Sequence, residues 1–401
     1  MNKKIGWKKW EKMGDPHLIN RVQWGEEERK ALTEVLRDDW FGYGKPNKNL
    51  EKEMSKFLEI PYVHLTNSGS AAIENALLAL KHDGRWRIGD KIIHPVTTFA
   101  TSISSAINLG IVPIFIETKP STYVADSEQV SAAIERYPET RGMILPHLLG
   151  NVPDLEKILK ILGKTRFLLE DCCDTLGSKY QNKCVGSYGD AAAYSFYASH
   201  HITSGGVGGA VATNNKKLSD TLKSLIFWGR DFRPADDEFL KRYTYETLGT
   251  DSQMTALQAS FGLKQISKLP KFIEERKKQF NEMTELFTEY EVFHLPQTHP
   301  KADPSWFSYP LTIKESSSFD RSSFARYLTA NKVEVRPLMC GNITKQKPFE
   351  RAEWLSLNNG NFPVGDDIEK RSLFIPCWGM PENQKKDYYN ILKKFLGEYK
   401  S

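Results

Sequence analysis

Cysteine is scarce in this sequence, and the cysteine positions form no pattern. Five cysteines occur in 401 residues, without a CxxC pair and without the regular spacing of a disulfide framework. The N-terminal stretch MNKKIGWKKWEKMGDP is charged and lacks the apolar core of a secretory signal. An odd number of cysteines without such a signal predicts reduced thiols in a cytoplasmic protein.

Long apolar runs and an excess of charge of either sign are also missing. No stretch approaches the roughly 18 apolar residues that a membrane-spanning helix needs. The 55 basic and 50 acidic residues leave a net charge of +5, scattered along the chain. This balance argues against a nucleic-acid groove and is compatible with a small anionic substrate. With 40% hydrophobic and 26% charged residues, the composition is that of a soluble globular protein.

Short apolar runs alternate with helical or turn segments in the first part of the chain. This pattern predicts an α/β fold with a mostly parallel sheet covered by helices on both faces. Ligands of such sheets bind beyond the carboxyl ends of the strands. The predicted strands are KIIHPV, VPIFIE, GMILPHLL, RFLLED, AAAYSF and AVATN.

The chain is long enough for more than one core, and we divide it into three regions. Residues 1–50 form a polar, aromatic arm with a helix over 26–37. Residues 51–270 form a large α/β domain, and residues 271–401 form a smaller α+β domain. Within the large domain, a charged and irregular stretch over 230–250 predicts a surface excursion, followed by a long helical region.

The stretch AAAYSFYASHHITSGGVGGA combines a predicted strand, two adjacent histidines and a glycine-rich turn. Its glycines permit positive φ and close backbone approach. The glycines concerned are Gly205, Gly206, Gly208 and Gly209. Imidazoles transfer protons near neutral pH, which makes His200 and His201 candidate bases. A plain turn beside one packed and one exposed histidine is the alternative.

Polar and aromatic side chains follow several of the predicted strands. Ser68, Gly69 and Ser70 open a helix, where free N–H groups and the helix dipole can bind an anion; an ordinary helix cap is the alternative. Phe99 follows KIIHPV and can stack on a planar ring. Asp171 ends RFLLED, where its carboxylate can hold a protonated pyridine nitrogen. Together these groups are typical of pyridoxal phosphate chemistry.

These segments resemble, in order and spacing, those of the sugar aminotransferases, a family of pyridoxal phosphate (PLP) enzymes that act on nucleotide-linked keto-sugars. The similarity extends from Trp40 to Trp378. It implies a type I PLP-dependent aminotransferase fold and a homodimer whose active sites are built from both subunits. The matching segments are TNSGSAA, HPVTTFATS, PHLLGN, LLEDCCDTLGSKY, VGSYGDAAAYSF, WGRD, MTALQASFGLKQ and RPLMCGNIT.

The resemblance also implies individual site residues. The implied cofactor-binding residues are Ser68, Gly69, Ser70, Phe99, Asp171, Asp174, Ser195 and Asp251. The implied substrate-binding residues are His201, Trp228, Arg230, Arg336 and Asn342. A helix cap is the alternative for Asp174, and a structural ion pair is the alternative for Arg336. Asp251 replaces an asparagine of the partner subunit, and the family's GEGG turn is replaced by GGVGG.

One departure from the family changes the expected reaction. His200 stands where the family has its Schiff-base lysine, and lysine is the side chain that binds this cofactor covalently. In this respect the sequence resembles the small dehydrase branch that makes 3,6-dideoxysugars. That branch implies non-covalent PLP or pyridoxamine phosphate, L-glutamate as amino donor, and removal of the 3-hydroxyl group of a nucleotide-linked 4-keto-6-deoxyhexose. His200 would be the catalytic base, and His201 is the runner-up.

Some dehydrases of this branch carry an iron–sulfur cluster held by cysteines just after WGRD. No cysteine lies between Cys184 and Cys340 here, and a cluster needs about four within reach. The sequence therefore predicts an enzyme without a cluster or another metal site. Two other functions stay open: a catalytically silent subunit that binds a partner or a sugar nucleotide, and a related pyridoxamine-dependent enzyme acting on another keto-sugar.

Overall fold

The computed structural model describes residues 16–233 and 238–399. The first 15 residues of the predicted arm, and residues 234–237 of the predicted excursion, lie outside this range. The described strands form sheets of eight, four and three strands. Among the described helices, none is long and apolar enough to cross a membrane.

The strands are short, and the longest have five residues. Strands β1 to β5 are Tyr62–Thr66, Lys91–Pro95, Val112–Ile116, Gly142–Pro146 and Phe167–Asp171. Strands β6 to β10 are Lys179–Tyr180, Lys183–Cys184, Ala191–Ser195, Gly209–Thr213 and Phe293–His294. Strands β11 to β15 are Ala302–Asp303, Tyr309–Ile313, Arg336–Pro337, Leu355–Ser356 and Ser372–Ile375.

The helices are mostly of ordinary length, and many begin at a side-chain cap. Helices α1 to α7 are Glu26–Arg37, Lys45–Leu58, Gly69–His82, Ala100–Asn108, Ser127–Arg136, Leu155–Leu162 and Lys216–Ile226. Helices α8 to α13 are Glu238–Lys241, Ala256–Thr288, Arg321–Ala330, Lys347–Glu350, Pro363–Arg371 and Glu382–Gly397. The capping residues include Ser68, Asp126, Asp154, Asn215, Thr255 and Asp320.

The large sheet has the strand order β1-β9-β8-β5-β4-β2-β3-β14. Neighbours from β8 to β14 are parallel, whereas β9 runs antiparallel to both β1 and β8. Alternate residues of one strand enter different cores: Leu168 packs on one face and Leu169 on the other. The predicted α/β fold, with a mostly parallel sheet buried on both faces, is confirmed.

Each of the six predicted apolar runs overlaps a strand of the large sheet. Strands buried on both faces are mostly apolar, which is why they are visible in the sequence. In the C-terminal region, WFSYPLTI contains β12, whereas VEVRPL contributes only the two residues of β13. The predicted helix over 26–37 is confirmed residue for residue.

Helix α9 joins two hydrophobic cores. Ile266 and Leu269, in its first half, pack in a core of the large sheet. Phe280 and Met283, in its second half, pack against the four-stranded sheet β10-β12-β15-β13. The predicted domain boundary at residue 270 falls inside this helix, and the domain limits stay a prediction.

We expect Gly209→Ala to lower the free energy of unfolding by about 1–3 kcal/mol, as overpacking does. A methyl group on Gly209 would lie 2.4 Å from the carbonyl oxygen of Ser68. The control is Gly397→Ala at the end of α13, where the added methyl meets nothing within 4 Å. Urea denaturation followed by circular dichroism measures both variants, and equal stabilities would contradict the close approach.

Candidate active site

A cavity of about 610 Å³ opens at the carboxyl ends of the parallel strands. Pro146, Asp171 and Ser195, the last residues of β4, β5 and β8, all line it. The structure thus brings together many site residues predicted from different parts of the sequence. Those lining the cavity are Ser68, Gly69, Ser70, Phe99, Asp171, Asp174, Ser195, His200 and Arg336.

One wall of the cavity is the N-terminus of α3. Ser68 caps this helix by accepting a hydrogen bond from the N–H of Ala71 at 3.1 Å. The other N–H groups of the first turn have no partner within the helix and can bind an anion. Gly69 lies tightly against Ser195, because a Cβ on Gly69 would come within 2.7 Å of the Cβ of Ser195. The Ser195 hydroxyl is therefore next to the helix N-terminus, as a phosphate site requires.

Phe99 and Asp171 supply the other groups that a pyridine ring needs. Phe99 is 59% exposed, which is unusual for phenylalanine, and its ring borders the cavity. Asp171 accepts a hydrogen bond from the N–H of Cys173 at 3.1 Å, which fixes its carboxylate at the end of β5. An anion site, an exposed aromatic ring and a carboxylate on one cavity fit pyridoxal phosphate.

A buried contact between a histidine and a carboxylate supports the strand that carries Asp171. His147 Nε2 lies 3.0 Å from a carboxylate oxygen of Glu170, and both side chains are inaccessible to solvent. Burial alone would raise the pKa of Glu170, but His147 and the backbone N–H groups of Gly186 and Gly189 together outweigh burial, and the pKa is lowered. The Glu170 carboxylate also accepts hydrogen bonds from the N–H groups of Gly186, Tyr188 and Gly189.

The same pair, together with Cys172, has the geometry of a possible metal site. Ligand atoms of His147, Glu170 and Cys172 lie within 4.8 Å of one another. Both oxygens of Glu170 are already engaged by backbone N–H groups and by His147. These contacts explain the cluster as structural support for the end of β5.

His200 lies in the cavity in a defined orientation. Its Nδ1 is 2.8 Å from the carbonyl oxygen of Cys173, so Nδ1 carries the hydrogen and Nε2 is free to accept a proton. The ring of Phe307 meets the imidazole edge-on, with centroids 5.2 Å apart. Burial lowers the pKa of His200 to about 4, so the imidazole is neutral near pH 7. This arrangement suits a base.

Asp174 lies beside the free nitrogen of His200. One of its carboxylate oxygens is 3.9 Å from His200 Nε2. Burial, followed by the charge of Asp171, raises the pKa of Asp174 to about 7. The alternative of a helix cap is wrong, because turns rather than a helix follow Asp174. Asp174 can therefore exchange a proton close to the candidate base near neutral pH.

His201 and Asn342 were predicted to bind substrate, but the structure places both outside the cavity. His201 is buried, with its Nε2 3.1 Å from the carbonyl oxygen of Ser305. Asn342 donates to Asp366 at 2.6 Å and accepts from the N–H of Thr344, so its amide is used in a turn. Strand β8 ends at Ser195, and the two histidines lie in the turn that follows.

Trp228, Arg230 and Asp251 also lie outside the cavity of their own chain. Trp228 and Arg230 border a second cavity of about 1250 Å³. Asp251 is exposed and forms a backbone bridge with Phe227. A role for these residues in a site shared between two subunits stays a prediction.

The glycine-rich turn uses its glycines in two ways. Gly205 and Gly206 have φ of +68° and +111°, values that few other residues adopt. Gly208 and Gly209 instead allow close approach, and Gly208 lines the cavity. The sequence predicted positive φ and close backbone approach in this turn, but it did not show which glycines have which property.

Several residues that line the cavity were not predicted from the sequence. Phe307 lies in the stretch WFSYPLTI, two residues before β12. Cys173 also lines the cavity, and its carbonyl oxygen holds His200. The aromatic character of WFSY was the available signal for Phe307. Other unpredicted lining residues are Tyr197, Ser199, Met339 and Cys340.

Comparison with known proteins identifies the family. The sequence profile of the DegT/DnrJ/EryC1/StrS aminotransferase family matches residues 22–394. The chain belongs to this family. Its fold is that of PLP-dependent aminotransferases, and PLP is the family's cofactor, which confirms the resemblance seen in the sequence.

Individual relatives match nearly the whole chain. Lipopolysaccharide biosynthesis protein RfbH of Salmonella typhimurium is 32% identical, covering 92% of this chain and 89% of the relative. The dTDP-4-dehydro-2,6-dideoxy-D-glucose 3-dehydratase of Saccharopolyspora spinosa is 33% identical, covering 90% and 82%. The solved structure of Escherichia coli GDP-4-keto-6-deoxy-D-mannose-3-dehydratase with bound hydrated PLP has a TM-score of 0.88 at 25% identity, covering 94% of this chain and 99% of that one. The chain is thus similar to 3-dehydratases of nucleotide sugars.

We expect Asp174→Asn to change how stability depends on pH. Because the pKa of Asp174 is raised to about 7, the folded state binds this proton more tightly than the unfolded state. The stability that Asp174 contributes is therefore lost as pH rises from about 4 to about 7.

The amide of Asp174→Asn has no such pH dependence. The free energy of unfolding of the variant, relative to that of the parent protein, should rise by up to about 2 kcal/mol between about pH 5 and about pH 8. Urea denaturation at the two pH values measures the difference. If the difference in stability between variant and parent did not depend on pH, the pKa of the Asp174 carboxyl would not be raised.

Proposed function

We propose that this protein removes the 3-hydroxyl group of a nucleotide-linked 4-keto-6-deoxyhexose and uses L-glutamate as amino donor. One observation carries the proposal: the cavity has the groups that fit PLP, but the side chain beside them is His200. None of the described residues that line the cavity is a lysine. The cofactor is therefore bound without a covalent bond to the protein.

The overall reaction balances without an external oxidant or reductant. The nucleotide sugar loses one oxygen atom at C3, and glutamate becomes 2-oxoglutarate and ammonia. Bound PLP supplies an electron sink and a carrier for the amino group. The protein supplies orientation and positions for the protons.

His200 is the proposed base. Its Nε2 accepts a proton within the cavity and delivers it to the departing hydroxyl group, because the Nδ1 hydrogen is held by the Cys173 carbonyl. Asp171 keeps the pyridine nitrogen protonated. Asp174, 3.9 Å from Nε2, is the adjacent group that can share the proton.

Arg336 is the proposed contact for the anionic part of the substrate. It lines the cavity, with a side chain that is 39% exposed. It also pairs with Glu334 at 2.7 Å, so the alternative of a structural ion pair describes one of its contacts. The exposed face of the guanidinium is available to a diphosphate.

A second copy of the chain is proposed to complete the site. Trp228, Arg230 and Asp251 do not reach the cavity of their own chain, and the resemblance assigns these positions to substrate and to the partner's cofactor. The nucleotide stays open, because the similar 3-dehydratases carry dTDP or GDP in their names.

The direct test is a substrate panel. Purified protein is incubated with PLP, L-glutamate and the GDP-, CDP- or dTDP-linked 4-keto-6-deoxyhexose, and the nucleotide sugar is analysed by mass spectrometry. We expect one panel member to lose one oxygen atom, with formation of one 2-oxoglutarate for each product. A 4-amino sugar would indicate aminotransfer instead, and no conversion would favour a silent subunit.

His200→Asn separates cofactor binding from dehydration. We expect this variant to bind PLP, as shown by the absorption spectrum, while dehydration slows by about 100-fold or more. His201→Asn is the control, because His201 lies outside the cavity, and we expect its dehydration rate to stay within about threefold of the parent's. Normal dehydration by His200→Asn would disprove the assignment of the base.

A further inference from the structure

Arg276, on α9, is a buried charge with no carboxylate partner. Its exposed fraction is 2%. None of the ion pairs found among residues 16–233 and 238–399 includes it. Burial lowers its pKa to about 10, so the guanidinium still carries its charge near neutral pH. Burying a charge without a counter-charge costs free energy. The groups that form hydrogen bonds with Arg276 must therefore compensate for its lost solvation.

Backbone carbonyl groups and one amide satisfy this guanidinium. Nη1 donates to the carbonyl oxygens of Phe307 at 2.8 Å and Cys377 at 3.0 Å, with a longer contact to Trp306 at 3.3 Å. Nη2 donates to Oδ1 of Asn20 at 2.9 Å. These acceptors belong to segments far apart in the sequence, so Arg276 connects four parts of the chain.

Two of these neighbours also hold His200. The Nδ2 of Asn20 donates to the carbonyl oxygen of His200 at 2.6 Å. The ring of Phe307 meets the His200 imidazole edge-on, with an interplanar angle of 80°. Arg276 is thus linked to the main chain of His200 through Asn20 and to its ring through Phe307.

We propose that Arg276 is a positioning residue for His200, fixing the imidazole through Asn20 and Phe307 so that Nε2 faces the cavity. The proposal rests on the proposed function in that it gives His200 a position suited to a base. His200 Nδ1 is restrained from the other side by the Cys173 carbonyl, which leaves the ring little freedom. Catalytic side chains held by such contacts need no reorganisation before reaction.

The contacts of Arg276 explain why an arginine is needed here. The planar guanidinium directs one nitrogen to two carbonyl groups and the other to Asn20 at the same time. A lysine would retain the charge but could not span these acceptors. Arg276→Lys therefore breaks the link while it keeps the buried charge.

Asn20→Ala tests the link without changing Arg276. Its matched control is Asn331→Ala, since the amide of Asn331 also donates to a backbone carbonyl, that of Tyr327 at 2.9 Å. Asn331 follows the last residue of α10 and does not line the cavity. Both residues are partly buried. Each substitution removes a bond from an amide to a backbone carbonyl, and Asn20→Ala also removes the bond that Asn20 accepts from Arg276.

The readout is the reactivity of His200 in the full-length protein without added cofactor. Diethyl pyrocarbonate modifies neutral imidazoles, and peptide mass spectrometry gives the rate at His200 relative to that at the exposed His82. We expect the relative rate to rise about threefold or more in Asn20→Ala, because one restraint is lost, and to be unchanged in Asn331→Ala. Equal rates in the two variants would overturn the proposal, even if both lower the melting temperature.

A double variant tests whether Arg276 and Asn20 act in one path. We expect the effect of Arg276→Lys on His200 reactivity to be at least as large as that of Asn20→Ala, and Asn20→Ala to add little to it. Fully additive effects would show that Arg276 does not act through Asn20. If Arg276→Lys does not fold, the comparison of Asn20→Ala with Asn331→Ala still tests the proposal.

Failure of this inference differs from failure of the proposed function. A rise in His200 reactivity in a protein that dehydrates no member of the sugar panel would uphold the positioning and reject the function. Unchanged reactivity in a protein that does dehydrate a sugar would reject the positioning and uphold the function. Where both hold, Asn20→Ala should lower kcat of dehydration without weakening the binding of PLP.

Discussion

The close approach of β9 to the start of α3 is the contact on which the candidate site depends. Gly209 has no side chain, and its backbone lies directly against the carbonyl group of Ser68. Because β9 pairs with β1 on one side and β8 on the other, it holds the helix N-terminus beside Ser195. The anion site at the start of α3 and the carboxylate of Asp171 at the end of β5 therefore line the same cavity.

Within that cavity, two neighbouring groups have their pKa values shifted from their ordinary values by burial. The pKa of His200 falls and that of Asp174 rises, because burial disfavours the charged form of each. An imidazole that stays neutral and a carboxyl that titrates near pH 7 thus lie side by side. When the Asp174 carboxyl is ionised, its negative charge stabilises the imidazolium that forms as His200 accepts a proton.

The sequence predicted the large sheet well and the site in part, for reasons that are physical. Doubly buried strands such as β4 have almost no polar residues, and β5 becomes polar only at its end, so both are visible in the sequence. The place of Asp171 in the site could be predicted, because Asp171 stands at the end of a predicted strand. The position of His201 outside the cavity could not be predicted from the sequence, because the turn after β8 directs the two histidines to different sides. The link from Arg276 to Asn20 also could not be predicted, since it spans 256 residues.

The sharing of α9 between two hydrophobic cores has a consequence for folding. At about 1.5 Å per residue, this helix of 33 residues is about 50 Å long, and each half is stabilised by a different sheet. Neither core can lose its part of the helix without exposing apolar side chains such as Leu269 or Met283. The two cores are therefore expected to melt together in one cooperative transition, despite being built on separate sheets.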